Sequence, residues 1–106
     1  MARLSYSRRA IEDLDRIAQY IGAESGSARI ARTFVSRLRQ RCLRLASLGG
    51  ELGTLRPEVA PGLRSTPFGN YLILFRYEDR SLRVLAIIEG HRNLHDPHVI
   101  DPRRSH

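Results

Sequence analysis

Two segments in the C-terminal half of this 106-residue chain are apolar on both alternations of an extended strand. In Tyr71–Tyr77 and in Leu82–Glu89, aliphatic or aromatic side chains occupy odd and even positions alike. Turn-forming residues separate the two segments at Glu78–Ser81, and Phe68–Asn70 separates the first from a shorter strand at Leu63–Thr66. Connections this short require antiparallel neighbours. The sequence therefore predicts a three-stranded antiparallel meander that is apolar on both faces.

The N-terminal half predicts a short strand and two helices. The strand covers Arg3–Tyr6, and Ser7 follows it as an N-cap for a helix over residues 8–25, whose apolar side chains recur with helical period. We place the break between the helices at Gly22–Gly26, and Ser27 then caps a second helix over residues 28–48. Two helices joined by so short a turn form an antiparallel hairpin.

These elements predict the α+β class, with a short N-terminal strand, a two-helix antiparallel hairpin and a three-stranded antiparallel meander. The length fits one hydrophobic core, so we expect residues 1–106 to form a single domain, with about 95–106 as a flexible tail. The Gly- and Pro-rich residues 49–62 predict a long loop. Because the hairpin covers only one face of the sheet, the second apolar face predicts a binding partner.

Cellular location is indicated by what the sequence lacks. No apolar run approaches the roughly 20 residues of a membrane span, and the N-terminus does not resemble a secretory signal. A single cysteine, Cys42, excludes an internal disulfide framework. We therefore expect a cytoplasmic protein that does not contact membranes.

The charge is strongly positive and unevenly distributed. The net charge is +7, and all 18 basic residues are arginine. The predicted second helix contains six of these arginines and no acidic residue. A basic surface of this kind is typical of proteins that bind nucleic acid or an acidic protein. The helix lacks the pattern of a base-reading recognition helix, so solvated charge is the simpler interpretation.

Signatures of cofactor and nucleophile chemistry are absent from the sequence. His91, His95 and His98 have spacings compatible with a metal site, but there is no zinc signature and Cys42 is remote. The glycines of residues 49–53 form neither a phosphate loop nor a dinucleotide motif. We therefore expect no metal and no cofactor.

Three segments resemble the ParE/RelE toxin superfamily. The first helix of ParE toxins is similar to residues 7–21, SRRAIEDLDRIAQYI, in its small residue after the cap, its Asp-Leu pair and its terminal Tyr-Ile. The second strand, turn and third strand of ParE are similar to residues 62–79, GLRSTPFGNYLILFRYED. The final strand, with its Gly-x-Arg ending, is similar to residues 82–94, LRVLAIIEGHRNL. The resemblance covers residues 3–94 and favours the ParE branch over the RelE branch.

The resemblance implies the toxin of a type II toxin–antitoxin module, a system associated with growth inhibition and plasmid stabilisation. A small ParD-like antitoxin with an acidic C-terminal segment would neutralise the toxin, in a complex that could form higher-order oligomers. ParE-type members poison DNA gyrase and catalyse no reaction themselves, which is the function we expect here. We expect the antitoxin to bind the second face of the sheet, at the exposed sides of Leu72, Leu74, Leu85 and Ile87, or the helix groove near Tyr20 and Phe34.

RelE-type members are instead endoribonucleases that cleave mRNA, and this is the alternative function. The position after Tyr71 is Leu72, where family nucleases often carry arginine, so the nuclease apparatus is incomplete and we expect no catalytic residues. A third alternative is an inactive binding module. If the protein were a ribonuclease, its catalytic residues would be Arg64, His91, Arg92 and His98. Residues expected to bind the target of a poison are Arg64, Arg76, Arg83 and Arg92.

Overall fold

The computed structural model describes residues 2–48 and 51–90. Two helices lie against one five-stranded sheet, whose strand order is β1-β5-β4-β3-β2. β1 is parallel to β5, and the other neighbouring pairs are antiparallel. The elements are β1 (Arg3–Tyr6), α1 (Arg8–Ser25), α2 (Ala28–Ser47), β2 (Thr54–Leu55), β3 (Arg64–Phe68), β4 (Tyr71–Glu78) and β5 (Ser81–Glu89).

This architecture confirms the predicted α+β class, the helical hairpin and the meander, which is β3–β4–β5. The sheet has one strand that was not predicted, the two-residue β2 within the predicted loop. It pairs with the outer edge of β3. Two residues are too few to show an alternating pattern, so the sequence carries no signal for this strand. Within the described residues, neither helix combines the length and the hydrophobicity of a membrane-spanning segment.

Both helices begin at the predicted serine caps. The Ser7 hydroxyl accepts a hydrogen bond of 2.9 Å from the N–H of Ala10, and the Ser27 hydroxyl accepts one of 3.2 Å from the N–H of Ile30. α1 ends at Gly26, whose φ of 70° is the left-handed conformation that glycine adopts readily. Local capping chemistry thus sets the turn of the hairpin.

The larger core lies between the helical hairpin and the sheet. It contains side chains from both helices and from β4 and β5, with Phe75 and Leu38 among the fully buried ones. Alternation along β4 is as predicted, because Ile73 and Phe75 face the helices while Leu72 and Leu74 face the other way.

The second face of the sheet is covered by the chain itself. A smaller apolar cluster contains Leu63, Leu72, Leu74, Ala86 and Ile88, with Val59, Ala60 and Leu85 partly buried against it. The segment 56–63 folds back over this face and is closed by a hydrogen bond of 2.7 Å from the N–H of Arg56 to the carbonyl of Leu63. The expectation that Leu72 and Leu74 are exposed is therefore wrong, since they are 1% and 0% exposed.

A β-bulge in β5 reverses its expected alternation. Leu74 pairs with Ala86 and Phe75 pairs with Val84, so Leu85 is an extra residue on β5. A bulge of this kind shifts every following side chain to the opposite face. Ile87 therefore belongs to the core under the helices and is 3% exposed, which corrects its predicted placement on the second face.

Candidate functional site

Four aromatic side chains form a surface where the helical hairpin meets the β3–β4 turn. This aromatic surface consists of Tyr20, Phe34, Phe68 and Tyr71. The Phe34 ring packs edge-on against Phe68 and Tyr71, with centroids 5.4 and 5.7 Å apart. Tyr20 lies at the exposed margin, with 53% of its surface accessible. The cluster joins α1, α2 and both strands of the β3–β4 hairpin.

The β3–β4 turn brings these rings together. Gly69 has a φ of 58°, and a Cβ at this position would lie 3.8 Å from the Phe34 ring. Partial burial raises the pKa of the Tyr71 hydroxyl, and the neighbouring Glu89 carboxylate and Tyr20 hydroxyl raise it further. The Tyr71 hydroxyl on this surface is therefore neutral at physiological pH.

A guanidinium lies beside the aromatic surface. Arg41 projects from α2, with its guanidinium carbon 5.3 Å from the centroid of Phe68, and it donates a 3.1 Å hydrogen bond to the carbonyl of Pro67. The exposed Ile30 precedes Phe34 by one helical turn and extends the apolar area. An apolar patch bordered by positive charge is suited to an amphipathic segment carrying acidic residues.

The structure brings together only part of the predicted antitoxin-binding set. Tyr20 and Phe34 lie on the aromatic surface, and Leu85 is half-buried on the second face. The other three predicted residues have no accessible side chain, as described above. Sequence reasoning missed Phe68 and Tyr71 as members of this surface. Phe68 was interpreted as a turn residue and Tyr71 as the start of a strand, and no local pattern places either beside Phe34.

Arg64, one of the predicted target-binding residues, is held by contacts within the chain. Its guanidinium donates hydrogen bonds of 3.3 Å to the carbonyls of Glu51 and Leu52 and lies 3.6 Å from the Glu51 carboxylate. Only 14% of its side chain is exposed. These contacts tie the segment before β2 to β3.

Arg76 and Arg83 are directly opposite each other on β4 and β5. Arg76 donates a 3.0 Å hydrogen bond to the carbonyl of Pro61 and lies 3.9 Å from the Glu78 carboxylate. Arg83 donates a 3.3 Å hydrogen bond to the Ser5 hydroxyl. The pair is half-buried and concentrates positive charge at one place on the meander.

Most of the predicted nuclease set falls outside the described residues. His91, Arg92 and His98 lie there, so only Arg64 of that set has a described environment. Over residues 2–48 and 51–90, no group of three His, Cys, Asp or Glu side chains is placed to hold a metal ion. Cys42 is buried, and burial raises the pKa of its thiol to about 11. A thiol in that state is a poor nucleophile.

Comparison with known proteins identifies the family. Residues 4–94 match the family model of the ParE toxin of the type II toxin–antitoxin system, parDE. The chain belongs to the ParE toxin family. This confirms the resemblance and assigns the chain to the ParE branch of the superfamily, as a toxin of a type II toxin–antitoxin system.

Two individual proteins are also similar to this chain. Toxin ParE3 of Caulobacter vibrioides is 28% identical over 94 residues, which cover 89% of this chain and 92% of that protein. A solved structure described as a chromosomal ParDE TA system from P. aeruginosa matches with a TM-score of 0.74 at 22% identity. The match covers 86% of this chain and 98% of the other, and it supports the fold.

Proposed function

We propose that this ParE-family toxin poisons DNA gyrase, catalyses no reaction itself, and is neutralised by a cognate ParD-like antitoxin. The observation that favours a gyrase poison over a ribonuclease is the environment of Leu72. This position, where family nucleases often carry arginine, lies in the apolar cluster under segment 56–63 and is closed to solvent. An RNA phosphate has no cationic group to meet there.

Two further features support a poison over a nuclease. Arg64, the one described residue of the nuclease set, is engaged by Glu51 and Leu52 and is largely buried. All four histidines of the chain follow residue 90, so the described sheet carries no imidazole for acid–base chemistry. Cleavage of a phosphodiester would need both a charge-stabilising cation and a proton donor or acceptor.

Adding the purified toxin to two systems separates the functions. With gyrase, ATP and supercoiled plasmid, we expect cleaved DNA to accumulate after the gyrase is denatured, as it does for a trapped cleavage complex. With translating ribosomes and a defined mRNA, we expect no new RNA ends. Cleavage of the mRNA without gyrase trapping would overturn the proposal in favour of a ribonuclease, and inactivity in both systems would favour an inert module.

For contact with the target, we propose the opposed pair Arg76 and Arg83, together with Arg92. Each would be replaced by alanine in a strain with inducible toxin, and growth after induction would be measured. Arg80→Ala is the matched control, because Arg80 is exposed in the β4–β5 turn. We expect Arg76→Ala and Arg83→Ala to relieve growth inhibition and the control to retain it. Full toxicity of every variant would remove these arginines from the proposal.

For the antitoxin, we propose that an acidic, amphipathic segment packs on the aromatic surface. Tyr20 and Phe34 supply the apolar contacts, and Arg41 meets the acidic side chains. Aromatic residues of this kind often dominate binding energy. Leu85 would contribute only if the segment also reached the second face, where it is half-buried.

Calorimetric titration of the toxin with its cognate antitoxin tests this surface. We expect Tyr20→Ala to weaken binding at least about tenfold, which is typical of an aromatic contact residue. Leu43→Ala is the control, since Leu43 is also an exposed apolar residue but lies on the solvent side of α2. Equal affinity of the two variants would contradict the placement. Light scattering of the complex would determine whether it forms higher-order oligomers.

A further inference from the structure

The solvent side of α2 carries a stripe of hydrogen-bond donors without any acid. This outer stripe contains the four arginines at positions 29, 32, 37 and 44 and three neutral polar side chains between them, and all seven residues are exposed. α2 contains no Asp or Glu over its full length Ala28–Ser47. The members of the outer stripe are Arg29, Arg32, Thr33, Ser36, Arg37, Gln40 and Arg44.

The other two arginines of α2 differ from those of the stripe. Arg39 lies over the ring of Tyr6, 5.0 Å from its centroid, and Arg41 is bonded to Pro67. Within residues 2–48 and 51–90, none of the four stripe arginines has an ion pair or a hydrogen bond from its guanidinium. Like charges on one helix face repel one another in the free protein. The stripe therefore holds cationic groups that a ligand is able to neutralise.

The spacing of the stripe suits an extended polyanion. From Arg29 to Arg44 the helix rises about 22 Å, at 1.5 Å per residue. At about 100° per residue, Arg32 lies on one margin of the stripe, and Arg37 and Arg44 lie on the other. Thr33, Ser36 and Gln40 lie between them, and with Arg32 and Arg37 they line an open recess of about 410 Å³. Guanidinium groups thus flank a central row of small polar side chains.

The composition of the stripe favours nucleic acid over a protein partner. Arginine, serine, threonine and glutamine are among the side chains that donate hydrogen bonds to phosphate oxygens. The core of a protein–protein interface is depleted in charge and enriched in aromatic residues. The stripe has no aromatic residue. Of the exposed large apolar side chains of α2, Leu43 lies within its angular range and Ile30 lies just outside its Arg37 margin.

Duplex DNA fits the stripe better than RNA does. Recognition of single-stranded RNA relies on aromatic stacking, and the major groove of duplex RNA is too deep and narrow for a helix. The major groove of B-DNA, about 12 Å wide, admits one. A helix in that groove would place Arg32 and Arg37 toward opposite phosphate walls.

We propose that the outer stripe of α2 binds the phosphate backbone of double-stranded DNA without reading its sequence. Charge complementarity over the length of the helix is the basis of the proposal. It does not depend on which enzyme the toxin poisons, although it would hold the protein on the polymer that gyrase handles. The four arginines of the outer stripe make the phosphate contacts, and Ser36 and Gln40 contribute hydrogen bonds from the centre.

Fluorescence anisotropy with the full chain and a labelled 20-base-pair duplex tests this directly. Four phosphate contacts predict a slope of log K against log salt of about −3.6, so affinity falls roughly 100-fold between 50 and 200 mM NaCl. Two duplexes of unrelated sequence should bind equally well. The double variant Arg32→Gln/Arg37→Gln should reduce the slope by about two and leave only a roughly tenfold loss over the same range.

The control is Arg80→Gln combined with Arg3→Gln, which removes the same charge from exposed positions outside α2. We expect its salt slope to stay close to that of the unchanged chain, and circular dichroism checks that each variant is folded. Equal weakening by both double variants would overturn the proposal, as would no binding at 50 mM salt. Tighter binding of duplex RNA or of poly-glutamate would also overturn it. None of these outcomes depends on gyrase trapping, so this inference and the proposed function can fail separately.

Discussion

The Asp13 carboxylate on α1 accepts a 2.9 Å hydrogen bond from the backbone N–H of Ile87 on β5. β1 pairs with β5 only as far as Val84, so the following residues of β5 have no strand on that side. α1 and its N-cap residue supply the missing partners, because the Ser7 hydroxyl also donates a 2.8 Å hydrogen bond to the carbonyl of Leu85. Polar side chains at the start of α1 thus hydrogen-bond backbone groups of β5 that no neighbouring strand pairs.

Asp13 is buried at 1% exposure and is compensated by arginine. Arg9 donates to both carboxylate oxygens at 2.9 and 3.1 Å, and Arg16 donates at 2.9 Å. Replacing Asp13 by alanine would leave a buried N–H without its acceptor and remove a compensated charge. We expect Asp13→Ala to lower the free energy of unfolding by about 3 kcal/mol in urea titrations.

The exposed Asp15 on the same helix is the control for that change. Asp15→Ala removes the same charge from α1 without removing a buried hydrogen bond, and we expect its effect to stay within about 0.5 kcal/mol. Similar urea midpoints for the two variants would mean that the Asp13–Ile87 hydrogen bond does not hold α1 on the sheet.

The cover over the second face of the sheet predicts a stability effect at Leu74. If that face is core, Leu74→Ala should cost about 3 kcal/mol, because it creates a cavity beneath segment 56–63. Leu43→Ala, at a position that is 55% exposed, should cost less than about 1 kcal/mol. The two variants are compared by chemical denaturation of the toxin alone. A mild effect at Leu74 would indicate that segment 56–63 does not bury this face.

Two tyrosines differ in whether their hydroxyls are satisfied. The Tyr6 hydroxyl is buried, and no described group makes a hydrogen bond with it, although Cys42 and Arg39 lie near enough to influence its pKa. Tyr77 donates to the carbonyl of Leu45 at 3.3 Å and accepts from the N–H of Leu52 at 3.4 Å.

Replacing each tyrosine by phenylalanine should therefore have effects of opposite sign. Tyr6→Phe removes an unsatisfied hydroxyl, and we expect a gain of up to about 1 kcal/mol in unfolding free energy. Tyr77→Phe breaks two hydrogen bonds, and we expect a loss of about 1 kcal/mol. Thermal and urea unfolding provide the measurement. Destabilisation by Tyr6→Phe would show that its hydroxyl has a partner in solution.

Cys42 predicts a loss of stability in alkali. Burial raises the pKa of its thiol from 9.0 to about 11, so the unfolded chain releases the proton at lower pH than the folded one. The Cys42 thiol contributes fully to the free energy of unfolding below pH 9. As the pH rises through about 11, this contribution is lost, and the free energy of unfolding falls by about 2 to 3 kcal/mol in all. The chain contains no lysine, so no amine side chain titrates in that window.

Unfolding free energy measured from pH 8 to 11 would test this dependence. We expect the decline to be smaller in Cys42→Ala than in the unchanged chain. Burial also raises the pKa of Tyr6, so a residual decline at the alkaline end should be reduced by Tyr6→Phe. A pH profile unaffected by Cys42→Ala would show that the thiol ionises equally easily in both states.

Local patterns were sufficient for most of the fold. Ser7 and Ser27 cap helices because a hydroxyl meets an N–H three residues along the same chain. The turn residues between β3, β4 and β5 make those strands neighbours, since the connections are too short for any other pairing. The resemblance that identified the ParE branch rests on the same stretches of sequence.

The candidate site was predicted less completely, because it depends on contacts between residues far apart in the chain. Phe34 was expected at the surface, but its packing against Phe68 and Tyr71 requires the β3–β4 turn to lie beside α2. The bulge at Leu85 lies within an apolar run that shows no break in its pattern, so the placement of Ile87 was wrong.

The sequence by itself determined where helices and strands begin, because hydrogen bonds and side-chain periodicity within a few residues specify them. It also determined the unbalanced charge of α2. Only the tertiary structure decided which apolar residues are accessible: segment 56–63 buries Leu72 and Leu74, and the bulge moves Ile87 beneath the helices. Burial depends on which distant segment packs against a side chain, and an alternating pattern carries no information about that segment.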